Sequence, residues 1–117
     1  MLMVENVPAS ARWYCELLGA DNDHERDDFD QIVSGSNVLV MLHCISEGEH
    51  GLMVPREGER RGVGCALWFS TDDLPAVYRR AKNLGADILV EPWDNPRAGW
   101  EEFSVQDPDG YIINLHS

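Results

Sequence analysis

One structural phrase is written twice in this chain. Val7-Pro8-Ala9 leads through a helical stretch to Leu18-Gly19-Ala20-Asp21, and Leu74-Pro75-Ala76 leads through a second to Leu84-Gly85-Ala86-Asp87. The two proline-to-glycine spans are eleven and ten residues long. Each copy is entered from an apolar stretch, Met1 to Val4 and then Cys65 to Phe69, and is followed by further strand-like runs. A half-length repeat in 117 residues specifies two copies of one supersecondary unit, neither of which buries its apolar face alone. The space between the copies is therefore where function is expected.

The local signals agree with the repeat. Asn6 caps a first helix and Pro8 suits its opening turn. Ala11, Tyr14, Cys15 and Leu18 then recur at helical spacing until Gly19 stops the run. The second helix takes its cap from Thr71 to Asp73, its first-turn proline from Pro75, its apolar face from Val77, Tyr78, Ala81 and Leu84, and its stop from Gly85. Phe29 to Ser34 and Val38 to Cys44 are strands joined at Gly35-Ser36-Asn37. Ile88 to Trp93, Trp100 to Gln106 and Tyr111 to His116 are strands of the second copy, the last two joined by the turn Asp107-Pro108-Asp109-Gly110. The pattern predicts an α+β fold in which helices cover one sheet face and the opposite face is buried elsewhere or stays open as a cup. One domain over 1–117 is expected, with a first module of about 1–45, a linker over 46–62 and a second module of about 63–117.

Composition removes several function classes. Twenty-one acids face nine bases, Lys82 being the one lysine, so no basic stripe exists for nucleic acid. No apolar run is long enough to span a membrane or serve as a signal h-region. With 44% hydrophobic residues the net charge of −12 does not signal disorder. The acidic block Asp21 to Asp30 is expected to be a solvated hairpin or an adaptation to salt, or else a field attracting cationic ligands. Cys15, Cys44 and Cys65 lack metal or redox spacing and are expected as buried thiols, which places the protein in the cytoplasm.

The opening Val-x-x-Val-Pro-Ala-Ser-x-x-Trp-Tyr-x-x-Leu-Leu-Gly, Val4 to Gly19, resembles the glyoxalase/bleomycin resistance/dioxygenase (vicinal oxygen chelate) superfamily. The closing Phe103-Ser-Val-Gln-Asp-Pro-Asp-Gly-Tyr-Ile-Ile-Asn-Leu is similar to the same family, and the resemblance spans essentially the whole chain. It implies paired βαβββ modules forming a cupped mixed sheet with helices outside, in a homodimer. The family's enzymes hold a divalent metal with His, Glu or Gln on four strands. By that resemblance the first ligand lies before Met1, and the others fall on Met41, Gly64 and Asn114. Methionine, glycine and a neutral amide supply almost no donor strength for a hard ion, so no metal and no cofactor are expected.

Strand alternation assigns the cup's lining. Leu39, Met41 and His43 share one face, as do Ile112, Asn114 and His116; Gly64, Ala66 and Trp68 point the same way, and so do Trp100, Glu102 and Ser104. Trp93 is expected at the rim, while Trp13, Tyr14, Tyr78 and Tyr111 are packing residues. Ligand contacts are expected from Trp68, Trp100, Glu102, Met41, His43, Asn114 and Ser104, since indole faces attract flat rings and cations and Glu102 adds a full charge. Glu102, His43 and His116 are also the candidates for acid–base catalysis or for a displaced two-His, one-carboxylate metal site. His24 and His50 are expected to be exposed. The favoured function is metal-independent sequestration of a small planar or cationic molecule, resembling the bleomycin-resistance branch. The alternative is a lyase, isomerase or dioxygenase of the same superfamily.

Overall fold

A computed structural model describes residues 1–48 and 50–117, and the chain divides into two compact units, Met1–Glu59 and Arg60–Ser117. Unit 1 runs β1 (Leu2–Val4), α1 (Val7–Leu18), β2 (Asp21–Asn22), β3 (Phe29–Ser34) and β4 (Asn37–Cys44). Unit 2 runs β5 (Ala66–Ser70), α2 (Leu74–Asn83), β6 (Asp87–Asn95), β7 (Trp100–Gln106) and β8 (Ile112–His116). Each forms a four-stranded mixed sheet, ordered β1-β4-β3-β2 and β5-β8-β7-β6. The two orders are the same topology: the first strand pairs parallel with the last, and every other pairing is antiparallel. The repeat in the sequence is thus a repeat in structure, and both modules are βαβββ.

The helices begin and end where their caps dictate. The Asn6 side chain accepts a hydrogen bond from Ala9 N at 2.9 Å, and Asp73 does the same for Ala76 N at 3.0 Å. α1 stops at Gly19 in the left-handed region (φ 64°), a conformation glycine adopts without penalty. α1 buries Val7, Ala11, Tyr14 and Leu17 at helical spacing, and α2 buries Leu74, Val77 and Ala81. Their partners are alternate residues of the central strands: Ile32, Val40 and Leu42 in unit 1, and Phe103, Val105, Ile113 and Leu115 in unit 2, each 6% exposed or less. At about 25 cal/mol per Å² of apolar area, such stripes outweigh the weak propensities of helices this short.

Four expectations need correction. The acidic block is not a wholly solvated hairpin: Asp30 is 1% exposed, and Asp21–Asn22 forms a short strand that a polar dipeptide could not announce. Its carboxylate accepts from Asn22 Nδ2 (2.6 Å), His24 N (3.1 Å) and Gln31 N (2.8 Å), tying β2 to β3. The cysteines are not buried thiols. Cys65 is exposed because it precedes β5, while Cys15 and Cys44 are half-buried. Trp93 lies inside β6, which extends to Asn95, rather than at a strand end. His50 is half-buried, its ring 4.9 Å from that of His43.

Between β4 and β5 the chain makes two short 3-10 turns, Ile45–Glu47 and Gly51–Met53. Early in unit 2 comes Gly62, which has φ +68° and whose Cβ, were there one, would sit 3.0 Å from Tyr111 Cδ1. Arg61 pairs there with the nearly buried Asp109. The Asp107 carboxylate accepts from Asp109 N and Tyr111 N (2.9 and 2.8 Å), which builds the predicted β7–β8 turn.

Candidate functional site

The face of the unit 2 sheet turned away from α2 gathers most of the predicted ligand contacts. Cross-strand register places Trp68 beside Asn114, Asn114 beside Ser104, and His116 beside Glu102. Trp93 also lies opposite Glu102, so this indole belongs to the same face. Alternation gave the facing of β7 and β8 because the reverse face is fixed by Phe103, Val105, Ile113 and Leu115, each 1% exposed or less.

The rings form one cluster. Trp100 stacks on His116 with centroids 4.5 Å apart and planes 29° from parallel. Trp68 meets both, 6.4 Å from Trp100 and 6.1 Å from His116. Trp68 remains 53% exposed, so an indole face stays open. At the N–H edge of Trp100 and beside His116 in register lies Glu102, only 6% exposed. Its carboxylate accepts Trp100 Nε1–H at 2.5 Å and Asn95 Nδ2–H at 3.1 Å. Both donors are neutral, and no ion pair to Glu102 occurs among the described residues. A buried carboxylate is costly unless hydrogen-bonded, and these two neutral donors are what the described residues supply. A groove of about 340 Å³ opens beside the cluster at the β6–β7 end, with Asp94, Asn95, Trp100 and Glu101 in its wall.

Asn114 completes the floor. It is 6% exposed, its Nδ2 donates to Ser104 Oγ at 3.1 Å, and its Oδ1 is buried with no hydrogen-bond partner among the described residues. Sequence reasoning placed Asn114 on this face but had no signal for the unpaired oxygen, which depends on which way the amide turns. Asn95 was missed altogether. Its position two residues past Trp93 in an extended strand was the available clue.

Met41 and His43 occupy the corresponding face of unit 1. His43 is 6% exposed and lies beside Met3 and Phe29 in register, and Met41 lies beside Gln31. The His43 ring contacts Phe29 and His50, and its Nδ1 is 3.1 Å from Cys44 O. Glu102 and His116 are cross-strand neighbours in unit 2, whereas His43 belongs to unit 1.

The donor chemistry does not fit the metal that the resemblance implies. Gly64 lies ahead of β5 in a turn closed by Cys65 N–H to Gly62 O, Met41 offers only a thioether, and the Asn114 amide is neutral. One further group, Asp23, His24 and Asp30, has donor atoms within 4.8 Å of one another. Those atoms are already used: His24 Nδ1 is 2.5 Å from Asp23 Oδ1, and Asp30 holds the β2–β3 loop. Burial acts to raise the Asp30 pKa, but the hydrogen bonds from Asn22 and from three backbone N–H groups outweigh it and lower the pKa. The group therefore serves the turn.

No helix among the described residues is long and apolar enough to cross a membrane. No curated protein matches the chain. Solved structures do. A glyoxalase/bleomycin resistance protein/dioxygenase family enzyme from Burkholderia phytofirmans PsJN is 16% identical, with TM-score 0.78, covering 98% of this chain and 92% of its own. A glyoxalase-related enzyme from Fulvimarina pelagi is 19% identical, with TM-score 0.76, covering 98% and 82%. A structure described as a conserved domain protein is 26% identical, with TM-score 0.74, covering 98% and 91%. The family model matched over residues 1–115 agrees with the doubled βαβββ topology, and the chain belongs to the glyoxalase/bleomycin resistance protein/dioxygenase superfamily.

Proposed function

We propose that this protein binds a small planar cation on the indole-lined face of unit 2 and releases it unchanged, without a metal, in the manner of a drug-sequestering resistance protein. One observation carries the reading. Glu102 is a buried carboxylate whose donors among the described residues are both neutral, and it sits at the N–H edge of Trp100 and beside His116 in register, next to the Trp68–Trp100–His116 cluster. An organic cation placed there gains the carboxylate's charge and the negative faces of the indoles together, and desolvation strengthens both. The net charge of −12 adds a long-range field that draws cations inward. The family's resistance branch supplies the precedent, and the family resemblance supplies the expectation of a homodimer.

The test is a titration of the purified protein with bleomycin-type and other flat aromatic cations, followed by tryptophan fluorescence and by mass analysis of the recovered ligand. Saturable quenching, weakened in Glu102→Gln, with the ligand recovered intact, is the expected result. No quenching across a broad panel overturns the reading. A chemically altered ligand transfers the case to acid–base catalysis by Glu102 and His116.

A further inference from the structure

We infer that the ligand of this face presents an N–H donor to Asn114 Oδ1. The site would then select protonated amidines and amino-heterocycles over cations that lack N–H groups. The inference rests on the binding reading above and narrows it to a ligand class. A buried amide oxygen without a donor is a cost that folding does not require here. The matching position of unit 1, set by the same register, is Met41, and that sheet forms equally well. The polar group at Asn114 is therefore retained for something that arrives from outside.

The neighbours define what arrives. Asn114 lies between Trp68 on β5 and Ser104 on β7, and Glu102 is two residues from Ser104 on the same face. Two residues along a strand span about 6.8 Å, roughly the length of one substituted six-membered ring. A flat cation can thus set its charge toward Glu102 and an N–H toward Asn114 while its ring lies against the indoles. Trp68, the register neighbour of Asn114, is more than half exposed, so a change of its rotamer is the movement that would uncover the oxygen. The Ser104 hydroxyl either donates or accepts, so a turned amide would instead leave Nδ2 unpaired and ask the ligand for an acceptor. Glu102 lies on the same face, so a ligand bringing an acceptor to this site meets the repulsion of its carboxylate.

Benzamidine, which has N–H donors, and phenyltrimethylammonium, which has none, separate the possibilities when titrated by tryptophan fluorescence. The wild-type protein should bind benzamidine roughly five- to a hundredfold more tightly, the range set by leaving one buried acceptor unpaired. Asn114→Leu should bring the two affinities within about twofold, mainly by weakening benzamidine. Equal affinities in the wild type, or a preference that survives in Asn114→Leu, overturns the inference while the binding reading stands. If neither probe binds, the binding reading falls and this inference falls with it. Because Glu102 can itself favour benzamidine, the variant comparison decides the matter; if the leucine variant does not fold, Asn114→Met, the residue at the matching position of unit 1, makes the same comparison.

Discussion

Replacing Asn114 with leucine should make the protein more stable, and the size of the gain follows from the atoms around it. The side chain is 6% exposed, its Oδ1 has no partner among the described residues, and its Nδ2 makes one neutral bond to Ser104. Removing an unsatisfied buried acceptor returns about 1–3 kcal/mol, and losing the Ser104 bond costs about 0.5–1.5 kcal/mol. Ser104 is only half-buried, so water replaces the lost partner. Leucine also suits a central strand better than asparagine, on a scale that spans about 1 kcal/mol. The two side chains have similar length, so overpacking is small. The net is a stabilisation of about 1–2 kcal/mol, or an upward shift of roughly 3–10 °C in Tm. Urea unfolding at pH 7, with the m-value checked for constancy, measures it. A destabilisation of 1 kcal/mol or more would show that Oδ1 is already satisfied in the folded protein and would remove the ground for treating Asn114 as a ligand contact.

Asp30→Asn should cost about 2–4 kcal/mol at neutral pH, because at least two of the donors now bonded to the carboxylate lose a charged acceptor. The Asp30 pKa is lowered in the folded state, so its contribution is fully present above the unfolded value of about 3.9 and disappears as pH falls through the folded one. Urea unfolding at pH 6 and pH 3 should therefore show the gap between wild type and Asp30→Asn shrinking in acid; a gap that does not change with pH contradicts the network. Thiol labelling with an aromatic disulfide should modify the exposed Cys65 first and Cys15 last, since burial and then the charges of Asp30 and Asp21 raise the Cys15 pKa; fast labelling of Cys15 in the Cys65→Ser variant would refute this. Gly62→Ala should destabilise unit 2 by about 1–3 kcal/mol, as its Cβ meets Tyr111 at 3.0 Å in a left-handed conformation; thermal unfolding with an unchanged Tm would show that the turn relaxes freely.

The fold was legible where burial is one-sided. Proline, glycine and capping residues bracketed both helices, and period-two alternation gave the facing of β7 and β8, because one face of each is packed against a helix. What stayed hidden was set by partners distant in sequence. β2 is two polar residues held by Asp30, eight positions beyond Asn22, and nothing in Asp21-Asn22 itself favours a strand. The length of β6 was hidden for a related reason. Register shifts along its pairing with β7 break the alternation that would have carried the strand through Trp93 to Asn95. At the site, the lining residues were readable from facing, whereas the hydrogen bonds that lock Glu102 depend on side-chain rotamers.

The two modules show why chemistry should be sought in the second. Register makes His43 the counterpart of His116, each lying next to the first strand of its unit on one side and the adjoining antiparallel strand on the other. On that antiparallel side His43 faces Phe29, whereas His116 faces Glu102. On the helix-packed face the exchange is reversed: unit 1 buries Asp30 opposite Leu42, where unit 2 buries Phe103 opposite Leu115. β3 and β7, the matching strands of the two units, therefore each bury one carboxylate, but on opposite faces of the sheet. Asp30 is held by three close donors and ties a loop, a structural task that consumes its acceptor capacity. Glu102 has two neutral donors and an open indole beside it, which leaves charge and surface available to a ligand. Exchanging the pair in one variant, Phe29→Glu with Glu102→Phe, keeps the composition and net charge while moving the carboxylate to the other module. If the argument holds, cation binding is lost rather than relocated, because no tryptophan lies beside position 29 in the register of the unit 1 sheet. Binding of equal strength by the exchanged protein would show that a carboxylate beside the histidine is sufficient and that the indoles of unit 2 contribute nothing.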